Sequence, residues 1–281
     1  MSHNRVMLLT ALAMLAFAAN SLLCRMALKE TGIDAASFTT IRIASGALML
    51  WLIVLIRGGG IGGQGSWRSG FALFAYAAAF SYAYVSLPAA VGALLLFGAV
   101  QATMIGYGMV RGERFNPRQT LGLALACGGL IGLLLPGLSA PPLAGATLMI
   151  AAGVAWGVYS LRGRGGSNAT AATAGNFIRA LPFAAALSLA MLSRTTLDTA
   201  GIGYAIASGA LASGLGYAIW YTALPGLRAT NAATVQLSVP VIATLGGAVF
   251  LDEAITTRLV LASIAVLGGI ALVITGRQHG K

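Results

Sequence analysis

Two arginines, Arg42 and Arg179, stand inside long apolar runs, 137 residues apart (179 − 42 = 137). A guanidinium is costly there. It either caps backbone carbonyls and reaches for an interface, or it binds a ligand carboxylate. No acidic residue lies in the central part of any apolar run to neutralise either one. The symmetric placement of the pair favours the structural role, and ligand binding stays as the alternative. Polar and aromatic side chains interrupt the same runs: Asn20, Tyr82, Gln101, Trp156, Ser160, Tyr217, Gln236 and Ser238. Amides and hydroxyls could line a polar path across an apolar layer, and rings could stack on an apolar solute or hold an ammonium group. Trp156 and Ser160 are four residues apart, as are Tyr217 and Tyr221, so each pair shares a helix face. Gly153 and Gly157 flank Trp156 and point to a face packed on protein, not lipid.

The elements that hold these residues must be membrane helices. Of 281 residues, 58% are hydrophobic and 8% charged, against about 25% charged in a soluble domain. Ten apolar spans are expected, at 6–27, 37–56, 69–87, 89–110, 119–136, 143–161, 171–192, 202–222, 230–250 and 258–275. Each is long and apolar enough for a hydrocarbon core about 30 Å thick. Only helices satisfy their own backbone over such a length, so the fold class is all-α and polytopic. The first span is read as a retained helix and not a cleaved signal, because it has a counterpart in the second half. Spans 119–136 and 258–275 are almost purely aliphatic and are expected at the periphery, away from any pathway.

The chain repeats itself. Arg25 matches Arg162, Arg42 matches Arg179 and Pro88 matches Pro225, all at an offset of 137, while Glu113 matches Glu253 at 140. In both copies an aromatic helix ends at a Leu-Pro turn, an apolar helix follows, and an acid closes it. The expected units are residues 1–138 and 139–281, five helices each. Five is odd, so the second unit enters the bilayer from the opposite side and the repeat is inverted. With the N-terminus in the cytoplasm, eleven cations fall on the cytoplasmic side and only Lys29, Arg194 and Arg258 on the other. That bias supports both termini on the cytoplasmic side, and the expected location is a bacterial inner membrane. The net charge of +11 is thus read as a topology signal and not as a nucleic-acid surface.

These features resemble the EamA-type branch of the drug/metabolite transporter superfamily, over essentially the whole length. The matching residues are Arg42 and Arg179 in the second helix of each unit, the Ala-rich start of each fourth helix after a short turn, Pro240, and the acids Glu113 and Glu253. Pro240 departs from the repeat, since Val100 stands at the equivalent position and a kink is expected in one half only. Within the family the chain is most similar to the YddG-type aromatic amino-acid exporters. The resemblance implies export of amino acids with aromatic or bulky apolar side chains, by alternating access.

Mechanistic expectations follow from what the spans contain. No Asp, Glu or His lies where it could relay protons, so a facilitator or uniporter is expected. No P-loop is present to bind ATP. No enzyme activity, cofactor or metal is implied, and Cys24 and Cys127 have no ligand spacing. The partners implied are a small-molecule substrate and the lipid bilayer, with no nucleic acid. The number of copies is left open, a monomer among the options. Pro88, Pro225 and Pro240 are candidate hinges. The alternatives to amino-acid export are a lipid flippase or scramblase and a multidrug exporter.

Overall fold

The computed structural model describes residues 2–60, 64–112, 116–137, 140–163, 168–227 and 229–276. Glu113 lies outside the described residues. The described chain is helical throughout, with α1 (His3–Glu30), α2 (Ala35–Ile56), α3 (Trp67–Tyr84), α4 (Ala89–Val110), α5 (Pro117–Leu134), α6 (Leu143–Arg162) and α7 (Ala169–Ala190). α8 (Thr199–Ile206), a π-helical stretch (Ala207–Leu215) and α9 (Gly216–Ala223) run on as one span. α10 (Ala229–Val235) and α11 (Ser238–Leu251) make another, and α12 (Thr257–Gly276) the last. Merged in this way, the twelve helices give ten spans among the described residues.

Helix starts follow side-chain chemistry. A first turn has N–H groups without helical partners, and short polar side chains take them up. Asp34 accepts from the Ala36 and Ser37 amides, Ser66 from Ser69, Asn168 from Ala171 and Asp198 from Gly201. Asn116 and Gln119 form a capping box with Pro117 at the first helical position. Pro88 is the N-cap residue of α4, and Pro225 lies in a 3-10 turn ahead of α10.

The break between α10 and α11 has a local cause. Pro240 has no N–H for the Gln236 carbonyl and its ring crowds that oxygen. The Val239 N–H bonds Gln236 O instead, at 3.1 Å, and Leu237 N–H bonds Thr234 O at 3.0 Å. α4, with Val100 in place of the proline, runs unbroken.

Among the described residues, seven spans are long and apolar enough by themselves to cross a membrane. α3, α5 and α7 are not, which corrects the expectation of ten self-sufficient spans. α3 opens on Trp67-Arg68-Ser69-Gly70, α5 on Pro117-Arg118-Gln119-Thr120, and α7 carries Thr170, Thr173, Asn176 and Arg179. Their polar groups are accepted because the bundle covers them: Ser69, Gln119, Thr170, Thr173 and Asn176 are all buried.

Packing repeats under exchange of the halves. α1 lies on the eighth span and α11, as α6 lies on α3 and α4. α2 lies on α7 and the π stretch, as α7 lies on α2 and α3. α4 faces α11, and α5 faces α12. Small residues set these approaches. Gly153 and Gly157 of α6 sit against Leu96–Val100 and Thr103 of α4. Gly209 of the π stretch sits on the Arg42 carbonyl and Ser45 of α2, and Gly122 of α5 on Gly269 of α12. The Gly128-x-x-x-Gly132 spacing reads as a packing face in the sequence, but both glycines face open space.

This contrast makes a prediction. Gly209→Ala would drive a methyl into backbone that cannot yield, at about 1–3 kcal/mol. Gly128→Ala adds a methyl to open space and improves helix propensity. Melting of the purified variants should therefore fall for the first and hold or rise for the second. Equal melting points would contradict the packing.

Candidate functional site

The bundle encloses a cavity of about 710 Å³ between its halves, within the roughly 300–1,000 Å³ usual for small-molecule sites. Short connections make consecutive spans antiparallel, so the bundle has two ends. Arg111, Gly163, Ala169, Leu224 and Ile274 mark one end, and the cavity reaches it. The deep part is lined by Asn20, Ser21, Tyr76, Phe80 and Leu96, well short of the opposite end.

Aromatic rings form the wall. Trp156 stacks on Tyr217 (centroids 5.4 Å, planes 19° apart) and on Tyr159 (5.1 Å, 25°), and tilts against Tyr76 at 4.8 Å. Phe17 and Phe177 back Tyr217 at 5.6 and 6.1 Å. Trp156 is only half-buried, so one face is left to the cavity. Polar groups of the lining are tied to one another. The Asn176 amide donates to Tyr159 OH (3.3 Å), and Thr173 lies 3.4 Å from both Tyr159 OH and Tyr221 OH.

Of the residues singled out in the sequence, Asn20, Gln101, Trp156, Ser160, Tyr217 and Gln236 line this cavity. Tyr82 does not. It lines a separate hollow of about 380 Å³ near Asp34, Val85 and Arg194. The reason is helical phase. Tyr76, Phe80 and Tyr84 recur every four residues on one face, while Tyr82 is two residues from Phe80 and points away. Ser238 is also outside the lining, its hydroxyl donating to the Val235 carbonyl at 2.6 Å across the helix break. α12, expected to stand clear, contributes Val273 and Ile274 to the cavity mouth.

The two arginines have different surroundings. Arg179 donates through Nη1 to the carbonyls of Gly175 and Gln64, stapling a connection to α7. Arg42 is 2% exposed and sits over the rings of Tyr76 (5.2 Å) and Phe80 (4.8 Å). Its Nη2 donates to Tyr76 OH at 3.1 Å, and its Nη1 has no partner among the described residues.

The far end is held shut by a contact that spacing does not reveal. Asp252 adopts a left-handed conformation (φ 50°), and the Glu253 N–H returns to Gly247 O at 3.1 Å. This aims the Glu253 carboxylate back into the bundle. One oxygen accepts Arg25 Nε at 3.1 Å, and the other accepts the Ala89 N–H at 2.7 Å. Pro88 offers no side-chain cap for α4, so Glu253 caps it from another span. Arg25 Nη1 donates to the Tyr84 and Val85 carbonyls at 2.9 and 3.0 Å. One ion pair thus binds α1, the Leu-Pro turn and the end of α11. Its side chains are about a tenth exposed, 11% for Arg25 and 10% for Glu253. On the same end, burial raises the Asp34 carboxyl, but hydrogen bonds from Ser37, Thr196 and Ala36 outweigh it and hold it below the usual value.

Comparison with known proteins agrees with this architecture. A solved crystal structure of a protein superposes with a TM-score of 0.64 at 21% identity, covering 95% of this chain and 96% of that one. An uncharacterized protein of Pseudomonas aeruginosa is 60% identical over 99% of this chain and 97% of its own length. An uncharacterized transporter of Archaeoglobus fulgidus is 26% identical over 99% of each. The model of the EamA-like transporter family matches twice, over residues 4–135 and 143–275. With a helical bundle, a cavity between its halves and two copies of the family unit, the chain belongs to the EamA-like transporter family, whose work is the movement of small molecules across membranes.

Proposed function

We propose that the protein exports amino acids with aromatic or bulky apolar side chains across a bacterial inner membrane. The observation that carries this reading is the aromatic cavity, open at one end and pinned shut at the other. Its stacked wall fits a planar or bulky apolar group, and its amides and hydroxyls fit a polar one. Residues 1–138 and 139–281 act as inverted repeats, which the exchange symmetry of the packing and the double family match support. Both termini face the cytoplasm, as the cation bias favours. The open end then faces the cytoplasm, where an exporter loads.

Release requires the Glu253–Arg25 contact to part and the opposite end to close. The Leu-Pro turns at Pro88 and Pro225 and the break before Pro240 are the natural hinges, since backbone hydrogen bonding is already interrupted there. Among the described residues every carboxylate stands at a helix end or beyond, so the carrier is a facilitator driven by the substrate gradient. Flux of labelled amino acids into liposomes tests both points. Phenylalanine or tryptophan should move with or without a pH gradient. Strict dependence on the gradient would sink the facilitator, and flipping of headgroup-labelled lipid with no amino-acid flux would replace the substrate.

A further inference from the structure

Behind the deep end of the cavity, in contact with its lining residues Tyr76 and Phe80, lies a buried positive charge, Arg42. Among the described residues no carboxylate pairs with Arg42. It meets two rings and one hydroxyl, and among the described residues Nη1 is buried without a partner. A second orphan is Ser213 Oγ, buried and unpartnered among the described residues, and it belongs to the same cavity lining as Tyr76. Tyr76 links Arg42 to the cavity. Its hydroxyl oxygen accepts from Arg42 Nη2 at 3.1 Å and from Asn20 Nδ2 at 3.3 Å. The Asn20 amide is itself oriented, because its oxygen takes the Ser208 hydroxyl at 2.7 Å. With the Tyr76 oxygen accepting twice, its O–H is left to donate, and Tyr76 lines the cavity.

We propose that Tyr76 and Ser213, with Arg42 behind them, form a carboxylate-reading pole that fixes the orientation of the substrate. Tyr76 is the contacting group and Arg42 a positioning residue that directs the Tyr76 proton into the cavity and supplies the field for an anion. The carboxylate lies at this deep pole, and the apolar body lies along the Trp156–Tyr217 wall beside Tyr76. An ester or an amine of the same shape leaves the charge unanswered. This inference rests on the cavity being the transport site.

The test uses full-length protein and two probe pairs: L-phenylalanine with its methyl ester, and hexanoate with methyl hexanoate. Binding is read as ligand-induced thermal stabilisation over a concentration series. Each acid should bind about ten- to a hundredfold more tightly than its ester, as expected for a charge-assisted hydrogen bond. Tyr76→Phe keeps the ring under Arg42 but leaves the Arg42 Nη2 and Asn20 Nδ2 donors without their acceptor, so melting without ligand should fall, while the acid-to-ester ratio should come near one. Arg42→Lys keeps the charge but not the planar fork and should fall between. A purely structural Arg42 would move the melting point and leave the acid-to-ester ratio alone. Acids bound no better than their esters in either pair, or a ratio unchanged in Tyr76→Phe, overturns the pole. Hexanoate discrimination with no response to phenylalanine would keep the pole and overturn the amino-acid substrate.

Discussion

Glu253→Gln should unlock the closed end of the bundle. Gln can still accept the Ala89 N–H, but it leaves Arg25 without its counter-charge in a site about a tenth exposed. Breaking one side of a buried pair typically costs 3–5 kcal/mol. The low end, about 3 kcal/mol, applies here because the Tyr84 and Val85 carbonyls still hold Arg25. Melting should fall accordingly. The sharper readout is access. In a background with Cys24 and Cys127 replaced, Ser21→Cys places a thiol at the deep end of the cavity. An impermeant maleimide from the closed side should label it slowly in the parent and many times faster with Glu253→Gln. Arg25→Gln should act the same way, and the double variant should add little, since both remove one contact. Unchanged labelling would mean that the ion pair braces the fold without gating it.

Trp156→Ala should have the largest effect on transport. Trp156 touches Tyr76, Tyr159 and Tyr217 and leaves one face to the cavity. Each aromatic pairing contributes about 0.5–1.5 kcal/mol beyond area burial. Losing both the substrate contact and the stack that orders Tyr76 and Tyr217 should lower flux of aromatic substrates about tenfold or more. Trp156→Phe should recover most of it. Arg179→Gln, outside the cavity lining and bound to backbone, is the control: it should alter melting and spare the substrate profile. Equal flux in Trp156→Ala and the parent would remove the wall from the pathway.

The positions of the helices were readable because bilayer thickness and backbone hydrogen bonding dictate span length, and apolar runs announce it. The expected spans and the observed helices agree to within a few residues. The one-sided break was readable too, since Pro240 acts on the carbonyl four residues before it and needs no distant partner. Duplication was visible because charged and cyclic residues are rare in so apolar a chain, so their recurrence at 137 and 140 stands out.

Only the tertiary structure decided which of these residues meet. Arg25 and Glu253 are 228 residues apart, and both served in the sequence merely as repeat markers. Their pairing depends on how α1 and α11 cross and on the left-handed turn at Asp252. Arg42 and Arg179 hold equivalent places in the repeat yet have unlike partners: Arg42 meets the Tyr76 hydroxyl, and Arg179 the Gly175 and Gln64 carbonyls. Tyr82 and Tyr76 look alike in composition, but a helix turns about 100° per residue, so six positions carry Tyr82 to another face. The four-residue recurrence of Tyr76, Phe80 and Tyr84 was the available signal for the correct face. Sequence spacing fixes which side chains share one helix; which helix they face, and whether a charge there finds a partner, is settled only when all ten spans are in place.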